Sequence, residues 1–246
     1  VAASTKRLLH FLLALLLFAA VIYFSLHELA VNWAPVWGYR QKFLQGWLLT
    51  LALSAAALVC STAFGVLLAI GRRCPWLFVR DVCWIYVELI RGTPLLVQIL
   101  VLFYGVFDQI GITDRFTAGV LILSGFSGAY ISEIVRAGIE SVAASQWESA
   151  RAIGLAPLQI YRYVIAPQAI RQSLPPLAGQ FASLVKDSSL LSIIGISELT
   201  LNAQEVNTYT FSALESYVPL ALGYLILTLP ISLWTQSLER KLRFET

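Results

Sequence analysis

The side chains able to do chemistry in this chain are charged groups set inside apolar runs. Arg91 lies in Arg91-Gly92-Thr93-Pro94, within a stretch from about Asp81 to Phe107, and Lys186 lies in Lys186-Asp187-Ser188-Ser189, within Leu177–Ile196. Ionisable groups at membrane depth face a polar interior or a partner. Thr93 can cap a restarted helix with Pro94 at its first position, and a helix N-terminus beside a guanidinium attracts an anion. By helix rise, Arg91 stands about 15 Å from the Asp81 end. Gln98, Tyr130, Gln180 and Ser183 add neutral polar groups in similar runs. Two readings stand side by side for all six. They line a polar path, or they are internal hydrogen-bonding and ion-pairing groups, with Glu88 as the partner of Arg91.

Bond-making chemistry finds little support in the same residues. There is no Gly-x-x-x-x-Gly-Lys-Ser/Thr loop for nucleotide phosphates, no nucleophile-elbow serine, and no carboxylate pair clear of local helix pairing. His10 and His27 are isolated near the two ends of one apolar run. Cys60, Cys74 and Cys83 form no Cys-x-x-Cys pair, which argues against a disulfide framework or a zinc site.

The elements that must position these groups are membrane spans. The 246 residues are 58% hydrophobic and 13% charged, against about 25% charged in a soluble domain; mean hydropathy is +0.75. Six spans are expected: Leu8–Leu26, Leu44–Ile70, Asp81–Phe107, Phe116–Arg136, Leu177–Ile196 and Tyr217–Leu238. The first, about 19 residues and followed by Glu28, is read as a retained helix because signal cores run about 7–15 residues and end at small residues. Ser54-Ala55-Ala56-Ala57 with Ser61-Thr62-Ala63, and Ser124, Gly125, Ser127, Gly128 and Ala129, make small-residue stripes suited to close helix packing. Glu133 and Arg136 are spaced to pair. Asp187 can cap a restart of the fifth span, and Ser197–Ser216 is expected to be an acidic loop.

Between the fourth and fifth spans lies a polar island, Glu140 to Pro176. Ser145 and Glu148 fit the capping box that starts a helix. Gly154 suits the left-handed residue that ends one. Pro157 and Pro167 suit the first turns of a second and a third helix. The island therefore reads as short helices at sharp corners, too small to bury itself and awaiting a partner from outside the chain. Trp147 and the small Ala150 offer a contact face.

Charge orients the layout. With a cytoplasmic N-terminus, six spans place the island and the C-terminus on the cytoplasmic side with Lys6, Arg7, Arg72, Arg73, Arg80, Arg136, Arg151, Arg162, Arg171, Arg240, Lys241 and Arg243. Arg40, Lys42 and Arg115 fall outside, and Arg91 and Lys186 within the spans. The positive-inside rule favours this orientation.

The island resembles the Glu-Ala-Ala loop of ABC importer permeases. Glu148-Ser149-Ala150, three residues, Gly154, nine residues and Val164-Ile165-Ala166-Pro167 follow that pattern, with Ser149, Val164 and Ala166 as conservative departures. Arg91 to Gln98, Pro167-Gln168-Ala169-Ile170-Arg171 and Lys186 to Leu190 resemble the polar amino-acid (His/Glu/Gln/Arg/opine) branch. The similarity runs from about Gln45 to Arg240. It implies an all-α polytopic fold, with a five-helix type I permease core at 44–246 and a coupling loop at 140–172. Residues 1–43 then form an added N-terminal transmembrane helix and external loop. It also implies a bacterial inner-membrane location and an amino-acid substrate. The expected partners are a second permease subunit (identical or not), two ATP-binding subunits holding ATP and magnesium, and an extracytoplasmic binding protein. No cofactor is expected in this chain, and no nucleic acid. Trp147, Glu148, Ser149, Ala150, Gly154 and Pro167 are the implied coupling residues. The rival expectation is an ion-gradient-coupled secondary transporter with Glu133 and Asp187 as relay groups.

Overall fold

The structure, a computed structural model, describes residues 32–243 and, before them, positions 13, 16, 17 and 20. The expected span Leu8–Leu26, His10 and His27 lie outside the described residues. The described chain is helical throughout, with no strand among the described residues. Its helices are α1 (Ala34–Trp37), α2 (Arg40–Gly71), α3 (Leu77–Gly92), α4 (Leu95–Leu100), α5 (Arg115–Glu140), α6 (Ala144–Ala152), α7 (Pro157–Ile160), α8 (Ala166–Asp187), α9 (Leu199–Thr210) and α10 (Ala213–Arg243).

The pair α2 and α5 forms the spine. Both are apolar enough to cross a membrane, and their facing sides carry the small residues seen in the sequence. Ser54, Ala57, Ser61 and Gly65 are buried on α2, and Ser124, Ser127, Gly128 and Ala129 on α5. A Cβ at Gly65 would lie 2.8 Å from the Gly128 carbonyl oxygen, and one at Gly128 would lie 2.8 Å from Phe64. The backbones meet where neither helix has a side chain to hold them apart. This matters in lipid, where apolar burial gives no preference for protein over solvent and close van der Waals contact must supply the association.

Beside this spine, Leu53, Leu95, Ile99, Ile122, Leu123, Leu184, Leu191 and Ile194 form the main core. It draws on α2, α4, α5, α8 and the 3-10 turn Ser188–Ile194 that continues α8. The last helix, α10, is a third apolar span whose outward face (Leu222, Leu225, Ile226, Leu229, Leu233) stays exposed, as expected of a surface solvated by acyl chains.

One expectation about the elements is met and three need correction. The break expected at Arg91-Gly92-Thr93-Pro94 is present: α3 and the α4 segment with its wide π-turn Val101–Phe107 are bent by 111°. The fifth span starts earlier, at Ala166, and α8 is not apolar enough to count as a span by itself. Packing against α5 and α10 shields it from lipid, so its surface need not be apolar all round. The supposed loop 197–216 holds α9, capped by Glu198, whose carboxylate accepts from the amides of Thr200 (2.8 Å) and Leu201 (2.9 Å). Asp187 caps nothing: its backbone is helical and the chain tightens through it without a restart.

Candidate functional site

The polar island folds as a knob at one end of the bundle. α5 ends at Glu140, α6 runs for nine residues, and Gly154 turns the chain with φ +80°. The Gly154 amide donates to the Arg151 carbonyl (2.9 Å) and the Leu155 amide to the Ala150 carbonyl (3.2 Å). These two bonds close the helix in a Schellman motif, with Ala150 and Leu155 in the same apolar cluster. α7 then starts at Pro157, and the Ala156 amide donates to the Gln159 side chain at 2.9 Å. Gly154 and Pro157 thus do what their types predict.

Other parts of the knob differ from the expectation. α6 begins at Ala144 with Ala143 in the cap position and no side-chain cap, so Ser145 and Glu148 form no capping box. Pro167 does not begin a separate helix: α7, a π-turn at Tyr161–Ile165 and α8 run on with helical backbone. The wide turn just before Pro167 relieves the clash a proline ring makes with the preceding turn. The knob also has a small core of its own, Val142, Ala150, Ile160, Ile165 and Ala169. Ala150 is buried there and is not a contact face. Trp147 is half-buried, packed edge-on to Tyr161 at 5.1 Å. The outer face instead carries Glu148, Ser149 and Pro167, with Ile153 and Leu158 exposed at 76% and 79%.

Arg91 does not pair with Glu88. Its guanidinium lies 3.9 Å from Glu133 and 5.7 Å from the centre of the Tyr130 ring. Glu133 is a hub: Arg72, just past the end of α2, donates to it at 2.5 Å and Arg136 on α5 through Nε at 2.9 Å. The expected Glu133–Arg136 pair is present, and two further arginines join it from other helices. Thr93 does not cap α4. Its hydroxyl donates back to the Leu89 carbonyl (2.8 Å), and Pro94 takes the cap position. Gln98 is spent on the bend, its amide donating to the Ile90 carbonyl (2.7 Å), the Thr93 carbonyl (3.1 Å) and the Thr93 hydroxyl (2.8 Å). Gln180 donates to Ser127 at 3.3 Å, Tyr130 packs on Phe126 at 5.0 Å, Ser183 is half-buried and Lys186 is exposed. The structure therefore gathers Arg91, Tyr130 and Glu133 into one cluster. Gln98 joins the bend, Gln180 the α5–α8 contact, and Lys186 neither.

A second polar cluster escaped the sequence reading. Glu198 is fully buried and also accepts from Tyr224 (2.9 Å) and Thr50 (3.5 Å), joining α2, α9 and α10. Burial pushes its carboxyl above the usual range, against the pull of those donors. Its neighbours come from distant parts of the chain, so no local spacing announces them. No group of His, Cys, Asp and Glu suited to a metal occurs among the described residues.

A knob on a polar corner, a bent helix with a paired arginine and a small-residue spine have a counterpart in known proteins. Residues 61–244 match the family described as binding-protein-dependent transport system inner membrane component. The chain belongs to that family. An inner membrane component of this kind is the permease part of its system rather than an enzyme. Among its relatives, the glutamine transport system permease protein GlnP of Escherichia coli K12 is 35% identical over 215 residues, 86% of this chain and 98% of that protein. The L-cystine transport system permease protein TcyB of Bacillus subtilis is 38% identical over 195 residues, 78% of this chain and 83% of that one. A crystal structure of an amino acid ABC transporter with histidines superposes at a TM-score of 0.80, with 36% identity, covering 87% of this chain and all of that one. The inward-facing MetNI methionine ABC transporter shares the fold at a TM-score of 0.63 and 19% identity.

Proposed function

We propose that this inner membrane component is the permease subunit of an ATP-driven importer for polar amino acids. The observation that carries the proposal is the knob itself. A helix closed by a left-handed glycine stands off the spans with an apolar tip, Ile153 and Leu158, exposed at an otherwise polar corner. Such a tip fits a groove on a partner. Two permease subunits, identical or not, enclose one pathway, and two cytoplasmic ATPase subunits holding ATP and magnesium each receive one knob. An extracytoplasmic binding protein delivers the substrate. Closure of the ATPase pair moves the knob and shifts the pathway between outward-open and inward-open states.

Coupling falls to Trp147, Glu148, Ser149, Gly154 and Pro167, with Ala150 holding the knob together from inside. Among the pathway candidates, Arg91 with Tyr130 is the best placed to meet a carboxylate. Lys186, Gln180 and Ser183 follow, and Gln98 supports the bend. The permease core spans 44–246 with its coupling loop at 140–172, and 1–43 holds the added helix and external loop. Both termini and the knob lie in the cytoplasm. In support, Arg72, Arg73 and Arg136 gather at the knob end, where Arg73 reaches the Tyr161 hydroxyl at 3.4 Å. Lys42 pairs with Glu205, and Arg115 donates to the Gly195 carbonyl, at the other. The rival ion-coupled scheme needs Glu133 as a proton relay, yet arginines from three helices hold that carboxylate.

The test is biochemical. The solubilised protein is expected to co-purify with an ATPase whose turnover rises when an amino-acid-loaded binding protein is added. Uptake driven by an ion gradient without ATP would contradict the proposal.

A further inference from the structure

At the knob end of the bundle, three helix ends line an open cavity of about 300 Å³. Arg72 and Arg73 reach it from the end of α2, Arg80 and Trp84 from the first turns of α3, and Arg136 from α5. Four guanidinia meet only two carboxylates in the lining, Asp81 and Glu140. Those acids, with Glu133 behind them, are unevenly shared. Arg72 is held by Glu133 at 2.5 Å, and Arg136 by both Glu133 and Glu140. Arg73 makes longer contacts, 3.7 Å to Glu140 and 3.4 Å to the Tyr161 hydroxyl. Arg80 touches its neighbour Asp81 at 3.3 Å through Nε alone and is half exposed. Each guanidinium carries five N–H donors in a fork shaped for a carboxylate or phosphate. Arg73 and Arg80 therefore bring spare donors and surplus positive charge to one hollow.

The rim supplies the second observation. Trp84 lines the cavity and is exposed, and Trp76, Leu77 and Phe78, just before Arg80 where α3 begins, are exposed as well, Phe78 at 80%. Tryptophan is enriched where a membrane meets water, and large apolar side chains left bare at the end of a span face acyl chains. A basic hollow whose helix also bares large aromatic and aliphatic side chains is the arrangement expected at headgroup depth.

We propose that this cavity binds the phosphate of an anionic phospholipid, with Arg73 and Arg80 as its ligands and Phe78 and Trp84 against the acyl chains. Basic pockets between transmembrane helices hold anionic headgroups in this manner. A zwitterionic lipid brings its own cation into an already basic hollow and is disfavoured. Inorganic phosphate lacks the apolar half of the contact. The proposal needs only that this end reaches a membrane surface, so it stands or falls independently of orientation and of coupling.

The experiment is thermal unfolding and native mass spectrometry of the full chain in neutral detergent. Dioleoylphosphatidylglycerol, dioleoylphosphatidylcholine and inorganic phosphate are added separately at equal concentration. Phosphatidylglycerol is expected to raise Tm and to remain bound, with the other two doing neither. The double variant Arg73→Gln/Arg80→Gln should weaken phosphatidylglycerol binding by about tenfold or more, the loss expected for charge-assisted bonds. Arg162→Gln, a basic change on the knob away from the cavity, should keep it. Arg80→Gln alone, which disturbs only a surface pair with Asp81, gives the same reading if the double variant folds poorly. Equal stabilisation by phosphatidylcholine or by free phosphate overturns the proposal, and so does undiminished binding by the variants.

Discussion

Gly154 shows at the residue scale how far a single side chain decides the knob. Its φ of +80° is open to glycine and costs an ordinary L-residue about 1–2 kcal/mol, yet an added Cβ there meets nothing within 4 Å. The constraint is therefore conformational and not steric. Gly154→Val should impair coupled uptake severely while leaving membrane insertion intact, and Gly154→Asn, which tolerates this backbone region, should retain most of it. Equal loss in both variants, measured as amino-acid uptake in vesicles, would point to steric contact with a partner instead. Glu133 is the opposite case, a residue defined by its contacts. Glu133→Gln leaves Arg72 and Arg136 facing one another in a half-buried site and should cost roughly 3 kcal/mol, read as a lower Tm in detergent. Gly154 was legible because backbone sign alone selects glycine. The partners of Arg91 were not, because Glu133 reaches it through the fold while Glu88 was merely nearby in sequence.

Packing decides the element scale. The α2–α5 spine was readable as small residues in two apolar runs, and the contact at Gly65 and Gly128 explains why they are small. Gly65→Leu drives a side chain against a backbone carbonyl that cannot move aside and should cost about 3 kcal/mol or more. Gly179→Ala, with open space around it, should leave Tm unchanged or raise it. The start of α5 gives a pH test. Asp114 accepts from the Thr117 amide (2.8 Å) and from its hydroxyl, and these bonds hold its carboxyl below the ordinary range. A depressed native pKa adds stability above the ordinary carboxylate value, near 4, which is lost as pH falls through the native one. Asp114→Asn still caps the helix but does not titrate. Its Tm should therefore fall less than that of the unmodified protein on acidification. The break at Arg91-Gly92-Thr93-Pro94 was legible from Thr93 and Pro94, but the π-turns and α9 were not. A wide turn is set by where Pro167 and the next helix must go, and α9 is fixed by Glu198 meeting Thr50 and Tyr224 from distant helices.

For the whole molecule, composition alone announced a membrane protein. The structure adds that the knob is a self-supporting body, with Trp147 locked on Tyr161 and the apolar tip left bare. Because Ser149 faces outward and next to Glu148, it can carry a probe without disturbing that core. Cys60, Cys74 and Cys83 are free and can be replaced by serine to leave a single reporter at Ser149→Cys. Cross-linking of that cysteine in inside-out and right-side-out vesicles is the most direct measurement of the central claim. The account predicts a covalent link to a cytoplasmic ATPase subunit whose yield changes when ATP binds. Labelling by a membrane-impermeant maleimide from the external side, with no ATPase captured, would contradict it.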